Sequence, residues 1–143
     1  MIKILSKVNQ KPVAIVSKLD EVSTARNDLS APEEVLQVAT KRLNKGIKFA
    51  AHRHNILERH TTETQEAWVF LRGKVLARFW DVDDSFLQEV VAEEGDVVVV
   101  YRGGHAFEVL EERTILYEFK NGPYYGQARA KTIIEENTKR NTE

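Results

Sequence analysis

The chain contains no cysteine. This absence excludes disulfides, zinc–thiolate sites and cysteine nucleophiles, and it is typical of a cytoplasmic protein. Any bound metal must therefore be held by histidine, aspartate, glutamate or backbone oxygen.

Strong charge of one sign and long apolar runs are also missing. The formal net charge is -1, so the totals give no electrostatic reason to expect a nucleic-acid partner. No apolar run is long enough to predict a membrane-spanning helix, and the N-terminus lacks the apolar stretch of a signal peptide. We therefore expect a cytoplasmic protein without a nucleic-acid or membrane partner, and its length suits a single domain over residues 1–143.

Short apolar runs separated by turn residues dominate the chain from residue 65 onward. They include QEAWVFLR, VLARFWDV and TILYEFK. Runs rich in β-forming residues at this regular spacing indicate a sandwich or barrel. Two earlier runs, 2–5 and 13–19, also predict strands, whereas GPYYG at 122–126 predicts an irregular cap and 135–143 a frayed polar tail.

Residues 35–46 fit both a helix and a strand. Ser30 and Glu33 provide a helix-capping pattern, and Gly46 provides a helix stop. Residues 35–46 also show the alternation of apolar and polar side chains that a strand would have. Periodicity alone does not decide between the two structures in so short a run.

Three of the four histidines lie in HRHNILERHTTETQE, residues 52–66. Imidazole and carboxylate are the side chains that bind metals and move protons near neutral pH. In a strand, His52 and His54 would point to the same face. An isolated His-x-His pair more often reflects surface polarity, so the pair leaves a metal site and a polar loop both open.

Two wider blocks of residues resemble the two sequence motifs of the cupin family. The matching residues are Gly46, His52, His54, Glu66 and Gly73 in the first motif, and Gly95, Gly103 and His105 in the second. The resemblance covers residues 35–120. It implies an all-β, single-domain cupin jelly-roll barrel with N-terminal strands and a short irregular C-terminal cap.

The match departs from the family pattern in both motifs. The usual gap after His-x-His would select Glu58, but only Glu66 is followed by the strand and the glycine that the motif requires. We therefore take Glu66 as the matching acid and residues 55–65 as an enlarged loop. In the second motif, Tyr101 replaces a proline and His105 comes one residue early.

The resemblance implies a metal site inside the barrel. Its ligands would be His52, His54, Glu66 and His105. Three imidazoles and one carboxylate leave coordination positions for water or substrate, and they suit one divalent transition metal, with Fe, Mn, Ni and Zn not distinguished. The resemblance also favours a strand at 35–46.

One further histidine and four other side chains are candidates for the rest of the site. His60, in the enlarged loop, is a candidate catalytic acid or base, with a solvated loop residue as the alternative. Trp68, Phe70 and Phe107 share strand faces with the implied ligands and are candidate pocket walls, although such aromatics more often form the core. Arg78 is a candidate partner for an anionic substrate, or a side chain that extends to the surface.

The stretches TETQEAW, GGHAFE and YEFKNGPYYG resemble those of small cupins in bacterial polysaccharide biosynthesis. This implies a metal-binding protein that acts on a small polar molecule, such as a sugar or sugar-nucleotide, with isomerase and oxygenase chemistry both open. The alternatives are a metal-free sugar-nucleotide isomerase or epimerase and a non-catalytic ligand-binding module. Cupins often dimerise through exposed strands, so residues 2–19 are a candidate surface for a homodimer.

Overall fold

A computed structural model describes residues 1–134, which form mainly antiparallel β-structure. The strands are Ile2–Leu5 (β1), Pro12–Ser17 (β2), Asn27–Asp28 (β3), Ala39–Thr40 (β4), Glu66–Arg72 (β5), Lys74–Trp80 (β6), Phe86–Glu93 (β7), Val97–Val100 (β8), Gly104–Val109 (β9) and Ile115–Lys120 (β10). A 3-10 turn covers Leu19–Glu21, and one helical turn, α1, covers Gln127–Ala130. The all-β prediction is confirmed, and the predicted polar tail lies outside the described residues.

Two sheets make up the body of the protein. The five-stranded sheet has the order β1-β2-β8-β5-β10, and the three-stranded sheet has the order β7-β6-β9. Within residues 1–134, no ladder joins β9 to β10, so hydrogen bonding does not close the two sheets into a barrel. None of the helices in this range has the length and apolar character needed to cross a membrane.

The main core lies between the inner faces of the two sheets. In β6, every second side chain is buried, namely Val75, Ala77 and Phe79. This follows from the strand period of two, which sends alternate side chains to opposite faces. They pack with residues of both sheets, including Val16, Trp68, Phe70, Val90, Val98 and Val100. Full burial of such a side chain contributes about 1.5–3 kcal/mol.

A second, smaller core lies on the outer face of the five-stranded sheet. Leu29 packs there against Val99 and Tyr101. The Tyr101 hydroxyl donates a hydrogen bond of 3.0 Å to Ser30 Oγ. Strand β8 is therefore buried on both faces, which explains why its sequence, VVVV, is uniformly apolar.

The strand expected at 35–46 is wrong beyond the two residues of β4. The backbone N–H of Leu36 donates instead to Gln65 Oε1 at 2.8 Å, and that of Val38 donates to Ser30 Oγ at 3.0 Å. These side chains satisfy backbone groups that a longer strand would have paired with a neighbouring strand.

Candidate functional site

The candidate site lies where β5 of one sheet faces β9 of the other. Glu66 shares a strand face with the buried Trp68, and His105 stands directly opposite the buried Phe79 in the β6–β9 ladder. Both side chains therefore point into the space between the sheets. Strands β9 and β10 are edge strands of their sheets. In the described chain no strand joins β9 to β10, and we call this side of the sandwich, next to the site, the open side.

Glu66 and His105 are in direct contact. His105 Nε2 lies 2.8 Å from Glu66 Oε1, and the side chains are 27% and 6% exposed, respectively. Trp68 Nε1 donates a second hydrogen bond of 3.1 Å to the same carboxylate oxygen. His105 Nδ1 is buried and has no hydrogen-bond partner among the described residues. A buried ring nitrogen without a partner is unusual, and it can hold a proton or bind a ligand.

The surroundings of Glu66 keep its carboxyl group ionised. Burial alone would raise the pKa of Glu66, but the hydrogen bond from His105 and the positive charges of Lys120 and Lys131 outweigh it. The pKa therefore lies below the ordinary glutamate value. Lys120 Nζ lies 3.9 Å from Glu66 Oε2. Its own pKa is raised, mainly by a hydrogen bond to Glu118.

Two aromatic side chains form a wall beside this pair. The ring centre of Trp68 lies 5.4 Å from that of His105 and 5.0 Å from that of Phe107, in both cases edge to face. Trp68 is fully buried, whereas Phe107 is partly exposed. Phe107 is thus the member of the wall that a ligand can reach, and Trp68 belongs to both the site and the core.

The other two predicted pocket residues lie elsewhere. Phe70 is buried in the main core. Arg78 alternates with the inward-facing Ala77 and Phe79, so it lies on the outer face of the three-stranded sheet. There its Nη2 atom lies 2.8 Å from Glu108 and its Nε atom 3.4 Å from Glu89. Arg78 thus points away from the Glu66–His105 pair.

The remaining predicted residues lie on a long segment without strands, residues 41–65, which we call the histidine segment. The rings of His52 and His54 are neighbours, with centres 5.4 Å apart. His60 Nε2 lies 2.9 Å from Glu58 Oε1, with side chains 86% and 83% exposed. His52 and His54 do not lie in a strand, because no neighbouring strand pairs with this segment in the described structure, so strand alternation does not set the directions of their side chains.

The four predicted metal ligands therefore fall into two separate pairs. Glu66 and His105 touch between the sheets, whereas His52 and His54 are exposed on the histidine segment. In residues 1–134, no group of three or more histidine, aspartate or glutamate side chains is arranged to hold a metal ion. The donor types suit a divalent metal, but a four-ligand site requires the two pairs to come together.

Sequence reasoning missed the residues that connect the site to its surroundings. Lys120 reaches Glu66 because the β5–β10 ladder places these two residues opposite each other. The backbone N–H of Gln65 donates to Asn121 Oδ1 at 2.7 Å, and its side chain donates to Glu34 at 2.6 Å. The first contact depends on strand register and the other two on the approach of distant loop residues, and the sequence carries no local signal for either.

No protein-family model matches this chain. A search of curated proteins found no match to it, and neither did a search of solved structures. The proposals below therefore depend on the geometry of the site and on the motif resemblance.

Proposed function

We propose that the protein is a metal-binding protein of the cupin jelly-roll type that acts on a small polar molecule, such as a sugar or sugar-nucleotide. The contact between Glu66 and His105 carries this proposal. The motif resemblance selects these two residues, and the fold brings them to 2.8 Å although β6, β7 and β8 separate them in sequence. The packing of the two sheets thus brings together two residues that the motifs select independently, which supports a shared role for them.

In this proposal Glu66 and His105 supply the half of the metal site that the core holds in place. The two atoms that face each other, His105 Nε2 and Glu66 Oε1, are both of a type that binds metals, which supports the assignment. His52 and His54 would add two imidazoles. A divalent metal held in this way supplies a Lewis acid for a carbonyl or enediolate substrate.

The histidine segment must pack against the open side of the sandwich to complete this site. Its apolar side chains Ile47 and Phe49 are exposed, so packing there would remove them from water. The backbone edges of β9 and β10 offer hydrogen-bonding groups to an added strand. A strand at this position would join the two sheets along this side, as the proposed jelly-roll fold requires.

Elemental analysis of protein purified without a nickel column tests the metal proposal. We expect about one equivalent of metal in the wild type, as in other single catalytic sites. His52→Ala and His105→Ala should both lose it, whereas His60→Ala is the matched control and should keep it. The proposal is wrong if the wild type binds no metal even after incubation with Fe(II), Mn(II) or Zn(II).

Limited trypsin digestion provides a readout that does not depend on activity. Arg53 and Arg59 lie in the exposed histidine segment, so the metal-free protein should be cut there first. Metal should slow this cleavage in the wild type and leave it unchanged in His105→Ala. Equal cleavage with and without metal in the wild type would contradict the movement of this segment into the site.

A second candidate function is metal-free proton transfer by His105, as in an isomerase or epimerase. The observation that favours it is the same 2.8 Å contact, because it places a carboxylate beside an imidazole, and general acid–base catalysis uses both of these groups. In this case the wild type would bind a sugar-nucleotide without metal. His105→Ala would abolish turnover, and His52→Ala would leave turnover unchanged.

The oligomeric state is a separate part of the proposal. Strand β1 is an edge of the five-stranded sheet, and an exposed edge offers unpaired backbone groups to a second copy. We propose a homodimer paired along β1, which light scattering would detect as twice the mass of one chain. A proline substituted for Lys3 would lower the dimer population if this pairing forms.

A further inference from the structure

The chain that follows β10 begins beside Glu66. We call residues 121–134 the C-terminal strap. Oδ1 of its first residue, Asn121, accepts a hydrogen bond of 2.7 Å from the backbone N–H of Gln65, and Nδ2 donates one of 3.1 Å to the carbonyl of Glu63. This end of the strap is therefore fixed to the chain that leads into β5.

The other end of the strap packs against the three-stranded sheet. A Cβ atom added to Gly104 would clash with the side chain of Ile134 and would lie 3.1 Å from Cβ of Trp80. His105 points between the sheets, so the preceding residue, Gly104, faces outward by strand alternation. The strap thus runs from the end of β10 to the outer face of β9, past the end of β9 that carries His105.

Both ring nitrogens of His105 are shielded, although the side chain as a whole is 27% exposed. Nε2 lies 2.8 Å from the buried Glu66 carboxylate, and Nδ1 is buried without a hydrogen-bond partner among the described residues. The ring of Trp68 covers one side of the imidazole. Because β9 is an edge strand, no strand covers the ring on the open side in the described chain. The strap, which is fixed next to both residues of the pair, is placed to cover it.

Few contacts hold the strap in this position. No residue of α1 is buried, and Tyr125 and Ile133 are 70% and 86% exposed. Ile134, in contrast, is half-buried. Segments with few buried apolar contacts open locally at a small cost in free energy. The contact of Ile134 with Gly104 is therefore the point at which a single substitution would release the strap.

We propose that the C-terminal strap is a gate, and that the contact between Ile134 and Gly104 controls access to the Glu66–His105 pair. When this contact breaks, the strap moves away about its fixed end at Asn121, and the ring nitrogens of His105 become accessible from the open side. This inference rests on the proposed function, because the strap would control the entry of the ligand into that same site.

Modification of histidine by diethyl pyrocarbonate in the metal-free protein tests the gate. The four histidines fall on four different tryptic peptides, so mass spectrometry follows each of them separately. In the wild type, His105 should react more slowly than the exposed His54. Ile134→Ser should raise the rate at His105 about threefold or more, because loss of an apolar contact increases the population of the open form. The rates at the other three histidines should stay unchanged.

Ile133→Ser is the matched control. Ile133 is the adjacent residue with the same side chain, and it is 86% exposed, so this variant should leave the rate at His105 as it is in the wild type. An unchanged rate at His105 in Ile134→Ser, or an equal rise in both variants, would overturn the inference. A wild type in which His105 reacts as fast as His54 would also overturn it.

The outcomes for the gate and for the proposed function are separate, because the modification is measured without metal. The metal content of Ile134→Ser should equal that of the wild type, since none of the proposed ligands is changed. If Ile134→Ser accelerates the reaction of His105 but the wild type takes up no metal, the metal proposal is rejected and the gate stands. Metal uptake together with an unchanged rate at His105 would reject the gate alone.

Discussion

The two halves of the candidate site differ in how the chain holds them. Glu66 is buried on the same face of β5 as Trp68, and His105 lies opposite the buried Phe79 in the β6–β9 ladder, so the core sets where both side chains point. His52 and His54 belong to a segment in which Ile56 and Leu57 are the only apolar residues between positions 52 and 64, and both are exposed. Motif residues thus have a fixed position only where the surrounding strands pack against the core.

Replacement of one phenylalanine near each half of the site should give the largest difference in the free energy of unfolding between the two variants. Phe79 lies opposite His105 and is 0% exposed, whereas Phe49 in the histidine segment is 63% exposed. Phe79→Ala should lower the free energy of unfolding by about 3–5 kcal/mol, because it leaves a cavity. Phe49→Ala should change it by less than about 0.5 kcal/mol. Urea denaturation measures both values, and a similar loss in the two variants would show that the histidine segment is packed.

Replacement of one glycine in each half should give a smaller difference. Gly103 and Gly46 both have positive φ angles, of 71° and 92°. A Cβ atom at Gly103 would also clash with the carbonyl oxygen of Trp80, whereas nothing lies within 4 Å of such an atom at Gly46. Both alanine variants pay about 1 kcal/mol for the left-handed backbone. Gly103→Ala should lose a further 1–3 kcal/mol, roughly the cost of overpacking, in thermal or urea unfolding.

Neutralisation of one glutamate in each half should give the smallest difference. Glu66 accepts hydrogen bonds from His105 and Trp68 inside the protein, whereas Glu58 pairs with His60 in solvent. Glu66→Gln keeps an acceptor but loses the charge, so the free energy of unfolding should fall by about 1 kcal/mol. Glu58→Gln should leave it unchanged within about 0.5 kcal/mol. A larger loss in Glu58→Gln would assign a structural role to the exposed ion pair.

Most of the strand pattern could be predicted because it is local. The alternation in β6 and the uniformly apolar β8 are visible as runs of residues, and both are strands in the structure. The stretch at 35–46 could not be predicted, because its backbone groups bond to Ser30 and Gln65 side chains from other parts of the chain. Competition of this kind leaves no trace in the periodicity of the run itself.

The candidate site shows the same division between residues that local sequence predicts and residues that only distant parts of the chain bring into place. The motif resemblance selected Glu66 and His105, and strand alternation placed Trp68 and Phe107 on the same faces as these two residues. The sequence did not signal Lys120, which reaches Glu66 only because β10 pairs with β5. The position of Arg78 on the outer face of the three-stranded sheet also depended on which face of β6 packs into the core.

The amino-acid sequence by itself determines the all-β character of this protein, its turns and the chemical types of its candidate ligands. These follow from the side-chain period of a strand and from the donor atoms of histidine and glutamate. The packing of one sheet on the other placed Glu66 next to His105, and the pairing of β10 with β5 placed Lys120 beside Glu66. His52 and His54 lie outside this packed region, on the histidine segment. Such distances arise from ladder register and core burial, which are properties of the whole folded chain and of no single stretch of it.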